Sequence, residues 1–108
     1  MKLKLSWHSL ELLQAIISPW IEDLIGINDA KELIWRYLLS EVNKLISISM
    51  IEIRDEIEVK FRPYQILALY ELFERLDLTD FEWDDYQLHL FMKLESKIVV
   101  PINAGRLP

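Results

Sequence analysis

Apolar and polar positions change rhythm twice along this chain, in the same order each time. At the start, Leu3 and Leu5 alternate with Lys2 and Lys4, the period-two pattern of a strand with one buried face. From Leu10 the period becomes helical: Leu10, Leu13 and Ile17 form a stripe that Leu12 and Ile16 widen. Past the midpoint, Ile57, Val59 and Phe61 alternate with Glu58 and Lys60, and Ile66, Leu69 and Phe73 then make a second helical stripe. Ser6 is placed to cap the first of these helices. Pro63 falls in the first turn of the other, where the N–H it lacks would have no partner.

The two stretches align at an offset of 56 residues, Leu3 to Leu10 on Val59 to Ile66, as apolar, lysine, apolar, polar, ring, ring, polar, apolar. This predicts an internal repeat. Each unit also predicts a second helix. Asp84 with Gln87 has capping-box spacing, Trp83 with Leu88 has that of a hydrophobic staple, and Asp29 with Glu32 offers the same cap in the first unit. These helices are expected to end near Ile46 and Ile98. Pro19 predicts a kink, or a fresh turn from Pro19 to Ile25 closed by Gly26, because a continuing helix would drive the ring against the Ala15 carbonyl. A polar loop, Asp77 to Trp83, takes the equivalent place in the second unit. Between the units, Ile51 and Ile53 continue the alternation, which reads as two strands with a turn at Arg54, Asp55 and Glu56, or one long bent strand. Ile98 to Ile102 reads as a closing strand, with Pro101 placing it at an edge.

The predicted fold is therefore α+β: two β-α-α(-β) repeats related by a pseudo-twofold axis, with four main helices on a small, mainly antiparallel sheet. All 108 residues are expected in one domain, with repeat units at about 1–53 and 57–102 and a loose tail over 103–108.

Composition narrows the function classes. Half the chain is apolar and only two residues are glycine, which excludes a disordered polymer and any glycine-rich phosphate loop. The absence of cysteine excludes disulfides, thiolate nucleophiles and thiolate zinc sites. The opening residues do not read as a signal peptide and no apolar run is long enough for a bilayer, so a cytoplasmic protein with no membrane partner is expected. The net charge of −6 is concentrated. From Glu71 to Asp85 there are seven acids and one base, while the rest of the chain has eleven of each. Such a balance disfavours nucleic acid and favours a basic protein partner.

Two surfaces follow as candidates. Asp80, Phe81, Glu82, Trp83 and Asp84 set two large rings among carboxylates, a composition suited to docking a partner protein. The same acids lack the glycine and terminal glutamate of a calcium loop, so no metal or other cofactor is assigned. Leu33 to Leu39 is apolar at six of seven positions, more than one buried stripe requires, so this helix is expected either to be buried on two sides or to expose a patch, for which Ile34, Trp35, Leu38 and Leu39 are the candidate self-association residues of a homodimer. No catalytic residue is assigned. The leading expectation is a non-enzymatic interaction or regulatory module acting through an acidic and aromatic surface. The rival is a small enzyme or ligand-binding domain with a pocket between helices and sheet, lined by His8, Tyr64, Tyr70 and His89.

Overall fold

The computed structural model describes residues 1–106. The elements, in order, are β1 (Lys2–Leu5), α1 (Trp7–Ile21), α2 (Ala30–Ser49), β2 (Ile57–Lys60), α3 (Pro63–Arg75), a single 3-10 turn (Leu78–Asp80) and α4 (Asp85–Asn103). Four helices pack on a two-stranded antiparallel sheet, so the fold is α+β. In the ladder Leu3 faces Val59 and Leu5 faces Ile57, and all four side chains are buried on one face. Lys2 and Lys4 lie opposite Lys60 and Glu58 on the other, which is solvated.

A two-stranded ribbon has too little buried area to persist in water alone, so this one depends on the helices beneath it. Helices α1 and α3 each pack against both α2 and α4. The buried positions of α1 are Ser9, Leu10, Leu12, Leu13, Ile16 and Ile17; those of α3 are Gln65, Ile66, Ala68, Leu69, Leu72 and Phe73. Ser9 and Gln65 are the two buried polar side chains among the described residues, and each is occupied at its own helix start. The Ser9 hydroxyl accepts from that of Ser6, whose oxygen in turn accepts from the Ser9 N–H at 3.0 Å. Gln65 Oε1 accepts from the Arg62 N–H at 2.8 Å. Asp29 and Asp84 cap α2 and α4, the latter in a reciprocal capping box with Gln87. Glu32 does not complete a box with Asp29, because its carboxylate is drawn to two arginines instead.

Four expectations are corrected. The helix α1 runs through Pro19 to Ile21 and stops there; Gly26, at φ 90°, sits in a later turn. Pro19 lies in the last turn, where it forfeits only the bond to the Ala15 carbonyl, so no new helical turn forms beyond it. The segment around Ile51 and Ile53 is not a strand. Helix α2 extends to Ser49, and these two isoleucines, 78% and 81% exposed, have no face of the core to cover. Nor is Ile98 to Ile102 a strand: α4 continues through it to Asn103. Leu90, Leu94 and Ile98 are buried at four-residue spacing, and that stripe outweighs the strand preference of a short β-branched run. The sheet accordingly has two strands. As for the expected loose tail, Asn103 is helical, and Gly105 (φ 78°) ends α4 in a Schellman motif, with Arg106 N–H on the Pro101 carbonyl at 2.8 Å and Gly105 N–H on that of Ile102 at 2.9 Å. Leu107 and Pro108 lie outside the described residues.

Pro101 inside α4 leaves the Lys97 carbonyl without its i+4 donor. Pro101→Ala should therefore raise the unfolding free energy by roughly 1–2 kcal/mol, the helix gain less the entropy returned to the unfolded chain. Urea titration followed by circular dichroism measures this; a loss of stability would contradict a helix at this position.

Candidate functional site

The acidic segment is held by its own side chains. Asp77 accepts from the Thr79 N–H at 3.0 Å and its hydroxyl at 2.6 Å, bonds that hold the Asp77 carboxyl below its ordinary range. This fixes the 3-10 turn and delivers Phe81 onto Trp83, their rings stacked at 4.5 Å and 21°. Trp83 lies against Phe91 at 5.1 Å, and Phe91 against Phe73 at 5.3 Å. Phe73 and Phe91 are buried, whereas Phe81 and Trp83 are half-exposed, so the four rings lead from the core to the surface. Asp80, Glu82, Asp84 and Asp85 are exposed around the outer pair. Of the five predicted residues, the structure stacks Phe81 on Trp83 and leaves Asp80, Glu82 and Asp84 exposed.

The four candidates on α2 are divided. Ile34 points outward at 61% exposure and Leu38 is half-buried, but Trp35 and Leu39 belong to the core. The Trp35 indole N–H donates to the Ala68 carbonyl of α3 at 3.0 Å. Its ring lies edge-on to Trp20 of α1 at 5.2 Å and beneath the Arg75 guanidinium at 3.9 Å. Arg36 stands 5.3 Å from the Trp20 ring and donates to the Trp20 carbonyl at 3.3 Å. Glu32 accepts from Arg36 at 3.0 Å and from Arg75 at 2.8 Å, and Glu71 accepts from Arg75 at 2.9 Å. This clasp joins the end of α1, the start of α2 and the end of α3. The cation–π contacts contribute about 0.5–2 kcal/mol each where the guanidinium is partly desolvated. The sequence reading missed Glu32 and Arg75, although Glu32 with Arg36 and Glu71 with Arg75 carry the four-residue spacing of helical ion pairs.

The four residues proposed to line a pocket make separate contacts. The Tyr64 hydroxyl donates to Glu41 Oε1 of α2 at 2.8 Å, as does the Gln65 amide, and together they hold the Glu41 carboxyl below its ordinary range. The Tyr70 hydroxyl donates to Asn103 at 2.7 Å. His89 is exposed on α4. His8, also exposed, borders a shallow hollow of about 270 Å³ with Glu11, Asp84, Tyr86 and Gln87. Among the described residues neither imidazole makes a hydrogen bond, and no three His, Cys, Asp or Glu side chains converge as a metal site would require.

Both arginines lower the Glu32 carboxyl below its usual 4.5, Arg75 most strongly. Its contribution to stability is complete above that unfolded-state value and is lost as pH falls through the lower folded-state one. Glu32→Gln should cost roughly 0.5–1.5 kcal/mol at neutral pH, and the difference from the parent protein should vanish in acid. Urea midpoints of both proteins across the acid range test this; a gap that widened in acid would remove Glu32 from the clasp. Comparison of the chain with protein-family models, with curated proteins and with solved structures gave no match.

Proposed function

We propose that this chain is a non-enzymatic protein-interaction module that grips a basic segment of another protein through the acidic and aromatic patch at Asp80, Phe81, Glu82, Trp83 and Asp84. The observation that carries this reading is the run of rings from buried Phe73 and Phe91 to half-exposed Trp83 and Phe81, with Asp80, Glu82 and Asp84 exposed beside them in sequence. Rings anchored in a core lose little entropy when a partner covers them, and carboxylates at the rim attract a cationic segment and set its orientation. An arginine side chain is the best-suited single ligand, since its plane stacks on an aromatic face while its N–H groups reach a carboxylate. Both histidines are exposed and make no hydrogen bond among the described residues, which gives the enzyme reading no comparable support. A cysteine-free chain suits the reducing conditions of the cytoplasm, where we place its action.

We also infer that the two halves descend from one duplicated β-α-α unit arranged about a pseudo-twofold axis. At the offset of 56, all six buried positions of α1 fall on the six of α3, Ser9 on Gln65 included. Leu3 falls on Val59, the residue it faces in the ladder. Exchanging the halves also leaves the set of helix contacts unchanged, since α1 and α3 each meet both α2 and α4.

An arginine-rich peptide titrated into the labelled protein should shift the Phe81 and Trp83 resonances, with an affinity that falls as salt rises. The combined variant Asp80→Asn, Glu82→Gln, Asp84→Asn should weaken binding at least tenfold while keeping the fold, because asparagine caps a helix as well as aspartate. Equal binding by both proteins would dismiss the patch.

A further inference from the structure

The ladder leaves one strand edge open. Met1 and Phe61 exchange both backbone hydrogen bonds, at 2.7 and 2.8 Å, which fixes the phase of the alternation. In an antiparallel pair, bonded and non-bonded positions alternate, so Leu3 with Val59 and Leu5 with Ile57 are also bonded pairs. The N–H and C=O groups of Lys2 and Lys4 on β1, and of Glu58 and Lys60 on β2, therefore point away from the sheet. On the β1 side, the Lys97 ammonium reaches across from α4 to the Lys4 carbonyl. On the β2 side, among the described residues, no hydrogen bond reaches the backbone of Glu58 or Lys60. An unpartnered edge is a template for another strand.

The side chains along that edge specify which strand fits. Glu56, Glu58, Lys60 and Arg62 occupy alternate positions, and all four are exposed. Laid antiparallel on a second copy about Val59, the two acids of each copy face the two bases of the other, Glu58 opposite Lys60 and Glu56 opposite Arg62. The phase agrees as well, because this register makes Glu58 and Lys60 the bonded pair, and theirs are the free backbone groups. Beside β2 runs a groove of about 470 Å³ whose lining holds Glu56 and Glu58 next to a Glu52–Arg54 ion pair, and there Arg62 of a second copy would arrive opposite Glu56. Ile48 and Ile51, both largely exposed, line the same groove and would lose water on pairing. The β1 edge has no such match, since Lys2 and Lys4 would repel their own copies.

We propose that β2 is a self-pairing edge, through which two copies of this chain join about Val59 into a continuous four-stranded sheet of order β1-β2-β2-β1. The contact is isologous, so it closes at two copies and does not grow into a filament. Backbone bonds and the isoleucine rim supply affinity, and the charges fix the register. This surface is separate from the acidic and aromatic patch, so either proposal stands or falls without the other.

Sedimentation equilibrium should show a dimer at neutral pH and moderate salt. Glu58→Lys and Lys60→Glu should each weaken it at least tenfold, since each places like charges across the join. Mixing the two single variants should restore a heterodimer, and combining both changes in one chain should restore the homodimer. Circular dichroism confirms that each variant is folded, and the mixing arm still decides the matter if the double variant is not. Amide exchange at Glu58 and Lys60 should slow as protein concentration rises. A strictly monomeric parent protein, or single variants that dimerise as well as the parent, would overturn the proposal. So would a dimer whose Glu58 and Lys60 amides exchange freely, because it would use another face, such as Ile34 and Tyr37 on α2.

Discussion

A sheet of two short strands has one face to bury and almost nothing of its own to bury it with, and the whole molecule is arranged around that shortage. Leu3, Leu5, Ile57 and Val59 exclude water only because all four helices lie on one side of the ladder. The helices in turn take their positions from the strands, since Ser6 and Arg62 follow β1 and β2 almost at once and cap the helices that come next. Neither layer is complete alone. The buried polar groups of Ser9 and Gln65 stand at this junction; Ser9 is satisfied at its own helix start and Gln65 there and by Glu41 of α2, so the turn from strand to helix costs no orphaned donor or acceptor.

Away from the sheet, two aromatic assemblies serve different ends. The Trp20 and Trp35 pair is closed over by Arg36 and Arg75, whose charges are answered by Glu32 and Glu71. It ties three helices together and offers little to a partner. The Phe81 and Trp83 pair is left open, and among the described residues Asp80, Glu82, Asp84 and Asp85 beside it form no ion pair. Similar rings thus act as internal fastening in one place and as exposed surface in the other, and the nearest charged side chains make the difference.

Much of the fold was legible because α1 and α3 have stripes of one period and clear starts at Ser6 and Pro63, so their buried apolar residues followed from spacing alone, although buried Ser9 and Gln65 did not. The failures have a common cause. Ile51 and Ile53 carry a strand's alternation, but alternation states a preference for a half-buried surface and cannot say whether such a surface is within reach. Ile98 to Ile102 is short, apolar and β-branched, a composition that a buried helix end shares with a strand, and Pro101 tilted the reading the wrong way. At the candidate sites, Phe81 and Trp83 were legible because they adjoin in sequence. The clasp was not: Trp20, Trp35 and Arg75 lie on three helices, and nothing local announces their meeting. The apolar run around Trp35 exceeds one stripe and so fits burial on two sides or an exposed patch; Trp35 is buried, and the surplus falls on Ile34 and Tyr37, which are exposed.

The separation of the paired strands bears on how the chain reaches its native state. Leu3 must find Val59 across more than half the sequence. Closing a loop of that length costs roughly 3–4 kcal/mol of chain entropy beyond a constant term. A ladder of four residues per strand recovers little of this by itself, whereas α1 with α2, and α3 with α4, are neighbours along the chain and dock over short connections. On these terms the helical hairpins are expected to assemble first and to present the apolar floor on which the strands later meet. Strand pairing is the late, topology-limited step, which makes this mostly helical protein a slower folder than a simple bundle of its size.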